Sequence, residues 1–438
     1  MQLRSVVALA SLSLSACALD DVAGDEVIAR GARATTVFTK GAPKPDSPFF
    51  AALGTNDRSC ASCHVQAEGW SVTPDGLEAR FAATDGLDPV FRRNDGSVSP
   101  TADVSTLAAR RAAYGPLLRR GVFRVGMGIP AGAEFTLAAV DDPYRFASER
   151  ELSLFRRPLP STNLRFLSAV MWDGREASLA QQSVDATMGH AEATGTKPKD
   201  MDGIVKFETS IYTAQAECDV VGELTQNHGD GGPEILGGES FFIGINDPIG
   251  MNPRGETFDP RAFTLFDEWV KDLGKSKPNE AARAALYRGQ ELFNRRTFAI
   301  TGVGGLNDAL GAPSIQGTCT TCHDTPNVGN HSVAMALNLG ISDASRRTAD
   351  MPLYTLRNTA TGATVQTTDP GRALITGKWA DIGKFKGPIL RAVALRAPYF
   401  HNGIAPTLGS VVDLYNTRFS IGLTPSEQAD IVAFLQGL

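Results

Sequence analysis

Two short runs in this 438-residue chain share one pattern. They are Cys60-Ala61-Ser62-Cys63-His64 and Cys319-Thr320-Thr321-Cys322-His323. The chain holds six Cys and six His, so one C-x-x-C-H run is expected about once in a thousand chains of this composition, and two about once in a million. Zinc sites and redox dithiols also use paired cysteines, but neither explains a His directly after both pairs. The spacing suits covalent haem attachment. Two thiols two residues apart reach the two vinyl groups of one porphyrin as thioethers, and the next residue sets an imidazole under the iron. Two haem c groups are therefore expected. Cys60, Cys63, Cys319 and Cys322 attach them, and His64 and His323 are proximal iron ligands.

The first residues read as an address. In MQLRSVVALASLSLSAC, Arg4 supplies a positive start and 6–14 a short apolar run, too short for a stable membrane span. Leu14-Ser15-Ala16-Cys17 resembles the bacterial lipobox, whose Cys is acylated. Residues 1–16 are thus expected to be a signal peptide, Cys17 the lipidated residue and 17–45 a lipid-anchored tether. Membrane association would come from the acyl chains, without a transmembrane helix. Haem attachment of this kind belongs to the oxidising, periplasmic side of bacteria, which agrees with export. Ala18 after the lipidated Cys favours the outer membrane, by resemblance to enterobacterial sorting. Hydrophobic residues at 42% and charged ones at 21% are ordinary globular usage, and a net charge of −6 offers no basic footprint for nucleic acid.

The haem runs lie about 260 residues apart. Together with helical periodicity near them and 44 Gly and 25 Pro, this predicts a mainly α chain with long loops. Two cytochrome c-like haem domains are expected, at 46–274 (N-terminal, with insertions) and 280–438 (C-terminal). Phe263, Phe266, Trp269, Val270 and Leu273 recur at helical spacing, and Gly274 stops that helix. A helix over 280–293 opens the second domain, with Gly289 allowing close packing. Thr424-Pro425-Ser426-Glu427 is a capping box for a final helix. A small β-hairpin insertion is predicted, with 121–129 and 134–140 flanking a Pro-Ala-Gly turn. Asp85, Asp88 and Asp95 cluster near two glycines and read as a solvated loop, with a Ca²⁺ loop as the alternative.

Three blocks resemble one family, the bacterial dihaem cytochrome c peroxidases and their MauG-like relatives. The first is the Cys60 run. The second is Met171-Trp172-Asp173-Gly174-Arg175-Glu176 with Leu179, Gln181-Gln182 and Met188-Gly189. The third runs from Phe385-Lys386-Gly387-Pro388-Ile389-Leu390-Arg391 through Ala397-Pro398-Tyr399-Phe400-His401-Asn402-Gly403 to Thr407-Leu408, Val411-Val412 and Tyr415-Asn416. Residues 71–155 and 218–260 have no counterpart in these blocks and look like insertions.

The resemblance implies roles for single residues. Trp172 matches the Trp placed between the haems as an electron relay. Gln182 and Glu192 fall where the family has its peroxide-pocket Gln and its acid–base Glu. His190, two residues from Glu192, is a second acid–base candidate or a sixth iron ligand. The family's closing His soon after the first run is missing, and Trp70 stands in that stretch. The first haem is then open unless His190 or His228 closes it. His401 matches the family's signature His, to which a structural hydrogen-bonding role is assigned. For the second haem, Tyr415 takes the place of the MauG-like Tyr ligand. Leu408, Val411, Val412 and Tyr415 share one helical face, so Tyr415 points inward. Met335 is the alternative ligand. The family's Arg-Asn-x-Pro stretch, which carries one ligand of an interdomain Ca²⁺, reads Arg156-Arg157-Pro158-Leu159-Pro160 here, which leaves that ion open.

The implied activity is that of a periplasm-facing, dihaem c-type oxidoreductase enzyme. It reduces hydrogen peroxide, or uses it to oxidise a partner, at the first haem, with electrons relayed from the second. A small periplasmic redox protein is the expected donor. The alternatives are an electron-transfer cytochrome, and an O₂-dependent oxygenase resembling the dihaem rubber oxygenases.

Overall fold

The computed structural model describes residues 32–39 and 46–438. The expected signal peptide, the expected lipidation site Cys17 and most of the expected tether lie outside these residues. Among the described residues no helix is long and apolar enough to cross a membrane.

Helix Pro278–Arg295 organises the C-terminal half. Pro278 occupies its first turn, where a missing N–H costs nothing. Ala282, Ala285, Leu286, Gly289 and Phe293 fall on one face and are buried. That face packs on the last helix, Pro425–Gln436, whose Ile431, Phe434 and Leu435 are buried in the same core. The capping box forms as its residues dictate. Glu427 N–H donates to Thr424 Oγ1, and Thr424 N–H donates to Glu427 Oε2 at 2.8 Å. Phe293 and Phe434 meet at 5.5 Å between ring centres, and Phe293 also contacts the His323 ring. The helix pair thereby fixes the second haem run.

The described chain is mixed α and β rather than mainly α. It contains two three-stranded and three two-stranded sheets. The short strands lie largely in the loops and insertions, where irregular alternation hides them from a periodicity reading. The hairpin is a correction. Phe123–Met127 and Phe135–Asp141 are both strands but do not pair with each other. Phe123–Met127 pairs antiparallel with Leu152–Arg156, and Phe135–Asp141 pairs antiparallel with Leu353–Asn358. A shared core made the choice. Phe135, Leu152, Leu154, Tyr354 and Leu356 bury together, and Tyr354 Oη donates to Ser153 O at 2.8 Å. A strand from the 71–155 insertion is thus stitched to the C-terminal half. The segment around Trp269 is a 3₁₀ helix, Asp267–Asp272, in which Val270 is exposed while Phe266 and Trp269 stack at 4.5 Å.

The crossing of the two long helices depends on Gly289. A Cβ there would lie 1.9 Å from Asp430 O and 2.7 Å from Phe434 Cβ. Backbone cannot yield as a flexible side chain would, so Gly289→Ala is expected to cost about 1–3 kcal/mol, read from urea unfolding midpoints. Gly238→Ala, where an added Cβ meets nothing within 4 Å, should leave the midpoint nearly unchanged.

Candidate haem and active site

Cys60–Ser62 form one 3₁₀ turn. Cys63 N–H and His64 N–H both donate to Cys60 O, at 3.1 and 3.0 Å. The turn gathers Cys60, Cys63 and His64 onto the wall of one cavity of about 190 Å³. The rest of the wall is mostly apolar, with Leu53, Phe123, Leu167 and Ile389 among its side chains. A Val65–Ser71 bridge folds the next loop back so that Trp70 O meets His64 Nδ1 at 3.0 Å. Nδ1 must therefore carry the hydrogen, and Nε2 keeps its lone pair. Burial lowers the His64 pKa to about 4, which keeps the ring neutral, and it raises the Cys63 thiol to about 11. No disulfide joins these cysteines. Two protonated thiols, a neutral imidazole with a committed tautomer and an apolar enclosure fit a covalently attached haem.

Helix Leu179–Gly189 forms the facing wall. Ser178 caps it, accepting from Gln181 N–H at 3.1 Å. Gln182, Ser183, Ala186, Thr187 and His190 repeat at helical spacing and all line the cavity. His190 follows the helix, and its Nδ1 lies 2.5 Å from Asp95 Oδ2. Arg58 Nη1 donates to the other Asp95 oxygen. Burial alone would raise the Asp95 pKa, but Arg58 and His190 outweigh it and hold the carboxyl below the usual range. Glu192 sits differently. It is exposed, has a left-handed φ of 53°, and is absent from the cavity wall. His228 is likewise exposed and does not line the cavity.

Trp172 joins this cavity to the C-terminal segment. Its Nε1–H donates to Arg157 O at 2.7 Å, and its carbonyl accepts from Lys386 N–H at 2.8 Å. Its ring meets His401 edge-on at 6.3 Å, and His401 stacks on Phe385 at 3.8 Å. His401 works through ring contacts, since its Nε2 finds no hydrogen-bond partner among the described residues. Asp173, the next residue, is fully buried between Arg156 and Arg175, at 2.6 and 3.0 Å. Arg156, in the stretch compared with the family's Ca²⁺ segment, is itself ion-paired to Asp173 and Asp369.

The second run repeats the first. Cys319–Thr321 form a 3₁₀ turn, and His323 Nδ1 meets Gly329 O at 2.6 Å, again six residues on. Burial raises the thiols of Cys319 and Cys322 to about 12. Tyr415 lies on helix Leu408–Phe419 and packs against the same core as Cys319, Cys322 and Met335. Burial, then the nearness of Cys322 and Cys319, pushes its phenol up. His331 is buried against Asp324 at 3.1 Å.

Sequence reasoning missed three cavity groups: Arg58, Glu208 and Lys386. Arg58 stands two residues before Cys60, but nothing in its spacing announces a carboxylate partner 37 residues later. Asp95 was read as part of a loop cluster.

No protein-family profile matches the chain. It is similar to curated cytochrome c peroxidases. Cytochrome-c peroxidase IdrP2 of Denitromonas iodatirespirans is 34% identical over 138 residues, 28% of this chain and 36% of that protein. Cytochrome c peroxidase Ccp of Escherichia coli K12 is 46% identical over 72 residues, 16% of this chain and 15% of that one. Cytochrome c551 peroxidase of Nitrosomonas europaea is 32% identical over 121 residues, 27% and 30% of the two chains. The matches thus span about a third or less of these relatives. A solved MauG-like protein associated with microbial copper homeostasis aligns over 89% of this chain and 85% of its own, at 15% identity and a TM-score of 0.41. The curated relatives are named as cytochrome c peroxidases, in line with the peroxidase resemblance of the motifs.

Glu208 is buried in the cavity wall, and one of its oxygens has no partner among the described residues. Burial, opposed only by Ser161, raises its pKa to about 7. Between the ordinary carboxylate range and about 7, the folded chain keeps a proton that the unfolded chain has released. Stability therefore falls as pH rises through this window. Glu208→Gln should flatten that fall, by on the order of 1–3 kcal/mol between the two sides of the window, in urea unfolding at each pH.

Proposed function

We propose that the chain is a dihaem c-type oxidoreductase that reduces hydrogen peroxide, or uses it to oxidise a partner, at the Cys60–His64 site. The observation that carries this is one cavity bringing together Cys60, Cys63, His64, Gln182, His190 and Trp172. The naming of the sequence relatives as cytochrome c peroxidases supports it.

A haem iron held there supplies the electrons and Lewis acidity that O–O cleavage needs. The chain's own groups do the rest. His64 offers Nε2 as proximal ligand from a ring fixed by Trp70 O. Gln182, which lines the cavity, hydrogen-bonds the peroxide. The His190 imidazole takes the proton from one peroxide oxygen and delivers it to the other, which leaves as water. This role passes to His190 because Glu192 does not reach the cavity. Trp172, held at both its indole N–H and its carbonyl, is the electron relay toward the Cys319–His323 site. There His323 and Tyr415, with Met335 as alternative, are the ligands, and a phenolate would favour the oxidised metal. Two haem c groups, a small redox protein as donor, and attachment through Cys17 to the periplasmic face of the outer membrane complete the reading. They rest on the motifs and on the first seventeen residues.

Mixing the fully oxidised protein with one equivalent of H₂O₂ tests it. Rapid loss of the ferric EPR signals is expected. Trp172→Phe should then slow the equilibration of oxidising equivalents between the haems by at least tenfold. A protein unreactive when oxidised and also after one-electron reduction is not a peroxidase. Stable O₂ binding in that case would favour the oxygenase.

A further inference from the structure

Asp95 belongs to no part of the proposed chemistry, yet each of its oxygens is held by a partner. It is 6% exposed and uses both oxygens, one on Arg58 and one on His190. Arg58 is 2% exposed and has no freedom left. Its Nε–H donates to Pro89 O at 2.8 Å, its Nη2 to Val90 O at 2.6 Å and its Nη1 also to His190 O at 3.3 Å. The His190 carbonyl accepts further from Asn56 Nδ2 at 2.8 Å and Asn94 Nδ2 at 3.3 Å. Three side chains therefore hold the His190 backbone and a fourth holds its ring. An exposed helix-end His with no task needs no such frame.

The frame also sets the tautomer. An ionised Asp95 can only accept, so His190 Nδ1 must carry the hydrogen. The nitrogen left over is Nε2, and His190 lines the cavity that also contains His64. This is the arrangement that turns an imidazole into a directed base: a buried carboxylate fixes one nitrogen and stabilises the cation formed when the other takes a proton.

We propose that Asp95, clamped by Arg58, is the positioning residue that orients His190 as the cavity's proton acceptor. It rests on the proposed haem site and deepens it. Asp95 touches no reacting atom and acts through His190. In the step itself, an incoming acid H–X loses its proton to His190 Nε2, and the anion X⁻ would be taken up by the iron that a haem held by His64 would supply. No electrons move.

Cyanide capture isolates that step, because hydrogen cyanide arrives neutral and must lose its proton on binding. In the haem-loaded protein followed by stopped flow, His190→Gln is expected to slow cyanide association by on the order of 10²-fold, within the range of a positioned base. Asp95→Asn, which keeps the shape and one acceptor, should slow it by about tenfold. In a His190→Gln background, Asp95→Asn should add less than about twofold, since a positioning residue has nothing left to position. Asp103→Asn, at an exposed loop carboxylate, should change nothing.

An unchanged rate in Asp95→Asn would overturn the proposal. So would full additivity of the two variants, which would make Asp95 merely structural. So would a low-spin ferric EPR signal lost in His190→Gln, which would make His190 an iron ligand. Should Asp95→Asn fail to fold, proton NMR of the reduced carbon monoxide form decides. A strongly downfield Nδ1–H resonance that vanishes in His190→Gln supports the pairing, and its absence in the parent protein overturns it. Cyanide capture consumes no peroxide. A protein that passes this test yet ignores H₂O₂ loses the peroxidase reading alone.

Discussion

One guanidinium ties together the segments on which both halves of the molecule depend. Arg156, at the end of a buried strand, donates to both oxygens of Asp369 at 2.7 and 2.9 Å and to Asp173 at 2.6 Å. All three groups are buried. Burying the cation would lower its pKa, but the two carboxylates reverse that and drive it up. Such a triad is weak evidence for stability, because desolvation consumes much of the Coulombic gain. Removing one member is costly, on the order of 3–5 kcal/mol, because a buried charge is stranded. What the triad secures is position. Asp173 follows Trp172, and Asp369 lies in the C-terminal half, where it also accepts from Gly371 N–H. The charge network holds the indole where the two halves meet.

The two haem runs show how little sequence a metal-ready histidine requires. In each, a 3₁₀ turn sets both cysteines and the imidazole, and a loop returns a carbonyl to Nδ1 six residues later. The return is made differently. In the first run a short bridge brings back Trp70 in a left-handed conformation, and in the second Gly329 takes that conformation. The result is the same tautomer in both, with the hydrogen on Nδ1 and the lone pair on Nε2. The sites diverge on the opposite side. The first has a cavity with a clamped His190, and the second has Tyr415 and Met335 packed beside the cysteines.

Much of this was legible in the chain. The C-x-x-C-H runs, the capping box at Thr424 and the inward face of 408–415 are local, because each is set by spacing within one or two turns. Gly289 was legible for the same reason, as the small residue on an apolar helical face. The two strands near 123 and 135 were legible as strands. Their partners were not, since a strand shows which face it buries but not which edge it meets. Phe135 found its edge more than 200 residues away, at Asn358.

The candidate site divides along the same line. Sequence by itself determined the two C-x-x-C-H runs and the resemblance that singled out Trp172, Gln182, His190 and Tyr415, because these are matters of residue type at fixed short spacing. Only the tertiary structure decided which carboxylate would matter. Counting along the chain pointed to Glu192, but the backbone turns at the end of the helix and leaves Glu192 outside, while Asp95 arrives from a distant loop to meet His190. The physical reason is that a buried charge is stable only where partners from separate segments converge. Such convergence is a property of the folded chain, not of the order of its residues.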